Sequence, residues 1–168
     1  GSERVPAEAD APMKLLENKR GLVVGVANAH SIAWGISEAC HQQGAELAFT
    51  YLNESLEKRV RPLAESLNST LIVPCDVAQD ASLQQLREHV EKWGPLDFVV
   101  HAVAFAQRED LDGRFIDTSR EGFRIALDVS AYSLVALAKA CEPLLRPGGS
   151  IVALTYYGAQ KVMRNYNV

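Results

Sequence analysis

The sequence predicts an α/β fold with a doubly wound parallel sheet in the order 3-2-1-4-5. Three observations predict it. Five short apolar runs alternate with segments of helical periodicity along 168 residues. The apolar runs lack polar alternation, as strands covered on both faces do. The first run stops at a glycine and passes through a tight turn into a helix: Gly21-Leu-Val-Val-Gly25-Val-Ala-Asn-Ala-His-Ser31-Ile-Ala-Trp-Gly35. Parallel strands need crossovers, and crossovers are right-handed, which restricts the topology to this Rossmann-like arrangement.

The elements follow in order. Residues 21–26 form the first strand. The first helix runs over residues 31–43, with Ile32, Ile36, Ala39 and Cys40 at helical spacing, and Gly44 suits the left-handed position that ends it. Residues 46–51 form the second strand. The second helix carries Glu54 and Glu57 in its first turn, where negative charge is favoured, and buries Leu56, Val60, Leu63 and Leu67. Residues 70–75 form the third strand. Asp80 or Ser82 caps the third helix, which buries Leu83, Leu86, Val90 and Trp93 and ends at Gly94-Pro95. Residues 97–102 form the fourth strand.

A loop of about 15 residues follows, over 103–117, a length usual for functional or mobile segments. Thr118-Ser-Arg-Glu121 then reads as a capping box. It opens one long helix to residue 145, apolar around most of its girth. Such a helix needs cover from two directions: the sheet on one side, and a second subunit on the other. Pro147-Gly-Gly149 turns the chain into a fifth strand at 150–155, and residues 156–168 read as loop.

Composition narrows the function. A formal net charge of −4 argues against nucleic-acid binding. No apolar run reaches the roughly 18 residues that span a membrane. Cys40, Cys75 and Cys141 are odd in number and widely spaced, so they read as reduced thiols in a cytoplasmic protein. No Cys or His pair has metal-ligand spacing, so no metal is expected. Residues 1–12 read as a disordered tag or lead-in, with Met13 as a natural start, and residues 13–168 as one dinucleotide-binding domain.

In a doubly wound sheet the ligand crosses the strand C-termini where strand order reverses. That brings together residues 25–32, 51–53, 75–77 and 102–104. Gly25 lets the chain turn tightly. Ser31 can cap the first helix and bond a phosphate or ribose. Asp76 can accept from an adenine amino group, or cap a short turn. Ala102 and Ala104 leave room for a ribose. The turn is not G-x-G-x-x-G, so it points to a dinucleotide only within the five-unit pattern. The second strand ends in Tyr51-Leu52-Asn53-Glu54 with no basic residue, which favours NADH, with NADPH as the alternative. Lys58, Arg59 and Arg61 read as the solvated face of the second helix. His30 and His101 read as structural or solvent-facing. No Gly-Lys-Ser/Thr follows the first strand, which excludes a Walker-type nucleotidase.

The segments Gly25-Val-Ala-Asn-Ala-His-Ser-Ile-Ala-Trp-Gly35, Gly44-Ala-Glu-Leu-Ala-Phe-Thr-Tyr51, Cys75-Asp-Val77, Asp117-Thr-Ser-Arg-Glu121 and Leu154-Thr-Tyr-Tyr-Gly-Ala159 resemble the bacterial enoyl-acyl-carrier-protein reductases of type II fatty acid synthesis, a divergent branch of the short-chain dehydrogenases/reductases. The resemblance covers residues 15–168. It implies hydride transfer from NADH to C3 of a trans-2-enoyl thioester carried on acyl carrier protein. It implies that Gly25, Ser31, Ile32, Asp76, Val77 and Ala104 line the dinucleotide, with Leu52 near the adenosine. It implies that Tyr166 is the catalytic tyrosine and that Tyr156 helps position the acyl substrate. It also implies a homotetramer. The family's lysine seven residues after the tyrosine, its substrate-covering helix and its last strands fall beyond residue 168. The sequence therefore reads as a chain truncated after the catalytic tyrosine and inactive alone, and Lys161 and Arg164 as surface charges. The competing readings are a relative acting on a ketone or alcohol, and a non-catalytic dinucleotide binder. Ala153, Leu154 and Thr155 stand where a carbonyl reductase would carry its serine, and retention of both tyrosines speaks against a pure binder.

Overall fold

The computed structural model describes residues 14–168; residues 1–13, with the expected lead-in and start, lie outside it. The strands are β1 (Arg20–Val24), β2 (Glu46–Tyr51), β3 (Ile72–Pro74), β4 (Leu96–His101) and β5 (Leu145–Ala153). They form one parallel sheet in the order β3-β2-β1-β4-β5, as the sequence predicts. Gly21 pairs with Leu47 on one side and Phe98 on the other, so β1 is the centre of the sheet.

The helices before the long loop are α1 (Ile32–Gln42), α2 (Glu54–Ser66) and α3 (Asp80–Trp93). Two apolar cores form, one on each face. Val23, Phe49 and Val100 pack with Trp34 of α1 and Val60 of α2. Leu22, Val24 and Val99 pack with Leu86 and Val90 of α3 and with Leu137, on a helix after the loop. Alternate residues of β1 thus feed opposite cores, which is why its apolar run is continuous.

Several local expectations are corrected. The buried face of α1 is Ala33, Trp34 and Ser37, whereas Ile32 is 70% exposed. Ser37 is buried because its hydroxyl donates to the Ala33 carbonyl at 2.7 Å, so a polar side chain sits where periodicity favoured apolar ones. On α2, Val60 and Ala64 are buried, and Leu63 and Leu67 pack at the margin. The N-cap of α3 is Gln79, with no side-chain bond. Neither Asp80 nor Ser82 caps it; the Ser82 hydroxyl accepts from the Asp76 N–H at 2.8 Å.

The expected loop over 103–117 contains α4 (Arg108–Leu111) and a 3₁₀ turn, Phe115–Asp117. The expected capping box is replaced by a single cap. Ser119 Oγ accepts from the Gly122 N–H at 2.9 Å, while Glu121 turns aside to pair with Arg124. The helix that follows keeps its course to Leu144 but changes its hydrogen-bonding pattern on the way. It comprises α5 (Arg120–Leu127), a π-helical turn (Asp128–Tyr132), α6 (Ser133–Cys141) and a 3₁₀ turn (Glu142–Leu144). β5 begins at Leu145 rather than at residue 150, with an irregularity where the pairing passes from Leu96–Leu145 to Phe98–Ser150. Gly148 takes up that bulge at φ +82°. A short 3₁₀ turn, Tyr157–Ala159, interrupts the final loop.

Candidate active site

The C-terminal ends of β1, β2, β3 and β4 open onto a cavity of about 460 Å³. Gly25, Asp76, Val77 and Ala104 line it, together with Leu52 and Leu56. These are four of the six residues expected around a dinucleotide. Ser31 and Ile32 stand outside that lining, at the start of α1. Ser31 occupies the N-cap position but makes no side-chain cap. Its hydroxyl donates back to the Asn28 carbonyl at 2.7 Å, and Asn28 Oδ1 accepts from the His30 N–H at 2.8 Å. The turn is therefore closed by its own side chains, and the first N–H groups of α1 receive no side-chain acceptor.

Gly25 has a backbone reason for its identity. Its φ is +119°, and a Cβ there would meet the Ala102 carbonyl carbon at 2.5 Å, with the oxygen closer still. The contact that demands glycine is the neighbouring strand exit. Asp76 takes the turn role that the sequence left open: Oδ1 accepts from the Ala78 N–H at 3.0 Å. At the β2 end, Asn53 Oδ1 caps α2 by accepting from Leu56 N–H at 3.1 Å. Arg61 pairs with Glu57, and Lys58 with Glu54. Burial and the nearby Glu57 carboxylate push the Tyr51 phenol upward. Cys75, also in this wall, is pushed up to about 11 by burial, so it stays a thiol.

A second cavity, of about 510 Å³, holds both predicted tyrosines. The Tyr156 and Tyr166 rings lie 4.8 Å apart between centroids at 36°. Phe123, Ala126 and Leu127 of α5 form an apolar side of it. The segment Ala102-Val103-Ala104-Phe105 lines both cavities and is the wall they share. The C-terminal loop is tied to this region by Asn167, whose Nδ2 donates to the Asp112 carbonyl at 3.2 Å. Asp110, almost fully buried, accepts from the Ser119 N–H at 2.8 Å and joins α4 to the start of α5. Lys161 and Arg164 are exposed.

His30 is exposed and His101 is buried. His101 Nε2 lies 2.7 Å from Ser133 Oγ. Ser133 donates its only hydroxyl hydrogen to the Val129 carbonyl at 2.6 Å, so Nε2 carries a proton and donates. Burial lowers the His101 pKa, which keeps the ring neutral. Sequence reasoning missed the α5 residues, Phe105 and Ser130 as site components. Small residues four apart, Ala126 and Ser130, were the available signal for a helix face open to a cavity.

A family model described as Enoyl-(Acyl carrier protein) reductase matches residues 25–168. The chain belongs to that family. It is 52% identical over 158 residues to the NADH enoyl-acyl-carrier-protein reductase of Aquifex aeolicus, a match covering 93% of this chain and 58% of the relative. The fold matches that of the Anaplasma phagocytophilum reductase, solved in complex with NAD, with a TM-score of 0.86 and 51% identity over 90% of this chain and 59% of the other. It also matches the Bacillus cereus reductase solved with NADP+ and an indole naphthyridinone, with a TM-score of 0.89 and 46% identity over 92% of this chain and 62% of the other. The chain thus spans about three-fifths of the length of these family members.

Proposed function

We propose that this chain carries the dinucleotide site and the reactive phenol of an NADH-dependent enoyl-acyl-carrier-protein reductase. The observation that carries the reading is the shared wall of residues 102–105. One cavity lies over the switch point of the sheet, the other holds Tyr156 and Tyr166, and they meet at that wall. Hydride transfer needs such a junction, because the donor carbon and the acceptor carbon must come within contact distance.

In this reading NADH lies across the strand ends. Gly25, Asp76, Val77 and Ala104 form its walls, with Ser31 and Ile32 at the helix start above the phosphates. The open N–H groups of α1 suit a diphosphate. The dinucleotide supplies hydride when bound. Tyr166 aims its hydroxyl at the thioester oxygen, where negative charge develops as C3 accepts hydride. A donor placed there stabilises the transition state more than the ground state. Tyr156 and the apolar side of α5 hold the acyl chain. C2 is then protonated.

The relatives' printed names support NADH and an acyl-carrier-protein thioester. A homotetramer in the cytoplasm completes the proposal. Tyr132 and Val135, which line neither cavity, are each more than half exposed along the α5–α6 helix, which suits a subunit interface. Among the described residues, no helix is long and apolar enough to cross a membrane.

The test follows nicotinamide absorbance as NADH reduces a crotonyl thioester. The chain is assayed alone and as a chimera completed with the C-terminal portion of the Aquifex relative. Tyr166→Phe in the active species is expected to lower kcat on the order of 100-fold and leave NADH affinity nearly unchanged. Undiminished turnover in that variant removes Tyr166 from the mechanism.

A further inference from the structure

The segment between the two cavities is held at both ends by serine hydroxyls from the helix opposite. At its start, His101 Nε2–H donates to Ser133 Oγ at 2.7 Å. At its end, Ser130 Oγ accepts from the Phe105 N–H at 3.0 Å and donates to the Phe105 carbonyl at 3.1 Å. One hydroxyl therefore satisfies both backbone groups of a residue that belongs to no regular element. Ser130 lies in the π-helical turn Asp128–Tyr132, and π turns within α-helices are frequent at functional sites. Two hydroxyls three residues apart on a helix thus hold residues four apart on an extended strand exit, Ser133 through the His101 ring and Ser130 through the Phe105 backbone. Phe105 and the three residues between the two holds, 102–104, line both cavities.

We propose that Ser130 is a positioning residue for the reductase reaction: its hydroxyl fixes Phe105 and so sets where the nicotinamide meets the enoyl group. The inference rests on the assignment of one cavity to the dinucleotide and the other to the thioester. Under that assignment the hydride must cross at residues 102–105, since these are the residues common to both cavities. Ser133 and His101 hold the strand end whatever happens at Phe105. Without the Ser130 hydroxyl, Phe105 loses the anchor for its N–H and its carbonyl together. The adenosine end, at Leu52 and Asp76, does not touch Ser130, so it is not expected to sense the change.

The experiment titrates the 168-residue chain with NADH and with ADP-ribose, which lacks the nicotinamide. Ser130→Ala is expected to weaken NADH about tenfold, the order carried by one or two neutral hydrogen bonds. ADP-ribose is expected to stay within about twofold, and Ser130→Thr, which keeps the hydroxyl, to restore most of the NADH affinity. Hydrogen exchange at the Phe105 amide is expected to quicken in Ser130→Ala and not in Ser130→Thr. General softening of the fold would weaken both ligands alike, and that result overturns the inference. Equal NADH affinity in wild type and Ser130→Ala overturns it as well, while leaving the functional assignment intact. Wild type that binds NADH no more tightly than ADP-ribose gives the anchor nothing to position and also overturns it. Wild type that binds neither ligand defeats the assignment itself, and the role of Ser130 with it.

Discussion

Gly25→Ala offers a sharp test of how the sheet is closed at the site. The added Cβ would sit 2.5 Å from the Ala102 carbonyl carbon. Carbon atoms pack best about 3.5–4.0 Å apart, so the exits of β1 and β4 must separate by about 1 Å. The Ala102 N–H donates to the Val24 carbonyl at 2.9 Å directly beside this contact. Opening the strands by that amount takes the bond out of range, at a cost of about 1 kcal/mol. Holding alanine at φ +119° adds roughly 1–3 kcal/mol. Reduced freedom of the unfolded chain returns about 0.5–1 kcal/mol. The expected net loss is about 1–3.5 kcal/mol, or roughly 2–14 °C in Tm for a chain of this size. Gly35→Ala is the control. A Cβ there meets nothing within 4 Å inside α1, so it should stabilise by about 0.5–1 kcal/mol. Urea and thermal unfolding of both variants measure the contrast. Gly25→Ala within 1 kcal/mol of wild type would refute the close-approach argument.

Two further outcomes concern stability. His101 is buried and its pKa is lowered, so the unfolded chain binds the extra proton first as pH falls. The resulting stability is fully present above about pH 6.5 and declines as pH drops from there toward the lowered folded value. One such group contributes a slope of at most about 1.4 kcal/mol per pH unit. Urea unfolding from pH 8 to 5 should show a shallower decline in His101→Gln, and an unchanged slope would show that another group is responsible. Asp110→Ala strips the acceptor from the Ser119 N–H and should cost about 1–3 kcal/mol; Asp110→Asn keeps an acceptor and should recover much of it, as calorimetry would register.

The sequence displayed the strand order and the glycine turn after β1, because each depends on strong local signals. Continuous apolar runs mark buried parallel strands, and the glycine turn marks the switch point. Tyr156 and Tyr166 were legible as a pair through the family resemblance, and they meet in one cavity. The hidden features depend on contacts between distant segments. Gly25 is glycine because of Ala102, which lies 77 positions away. Ser37 is buried through a bond to its own helix, which hydropathy alone does not register. Ser31 reads as a cap, yet Asn28 captures its hydroxyl. The π turn at 128–132 leaves no mark in the periodicity, because the inward positions before and after it keep ordinary helical spacing.

The central place of β1 also shapes how the chain comes together. Of the described strands it is the first in the chain, yet one of its neighbours, β4, follows some 75 residues later. Until then Leu22, Val23 and Val24 have only β2 beside them, and one hydrogen-bonding edge of β1 stays open. Parallel pairing of such sequence-distant segments is slow, and waiting edges of apolar strand are prone to association. A nascent chain paused before residue 96 should therefore be a better client for a chaperone than one paused after residue 101.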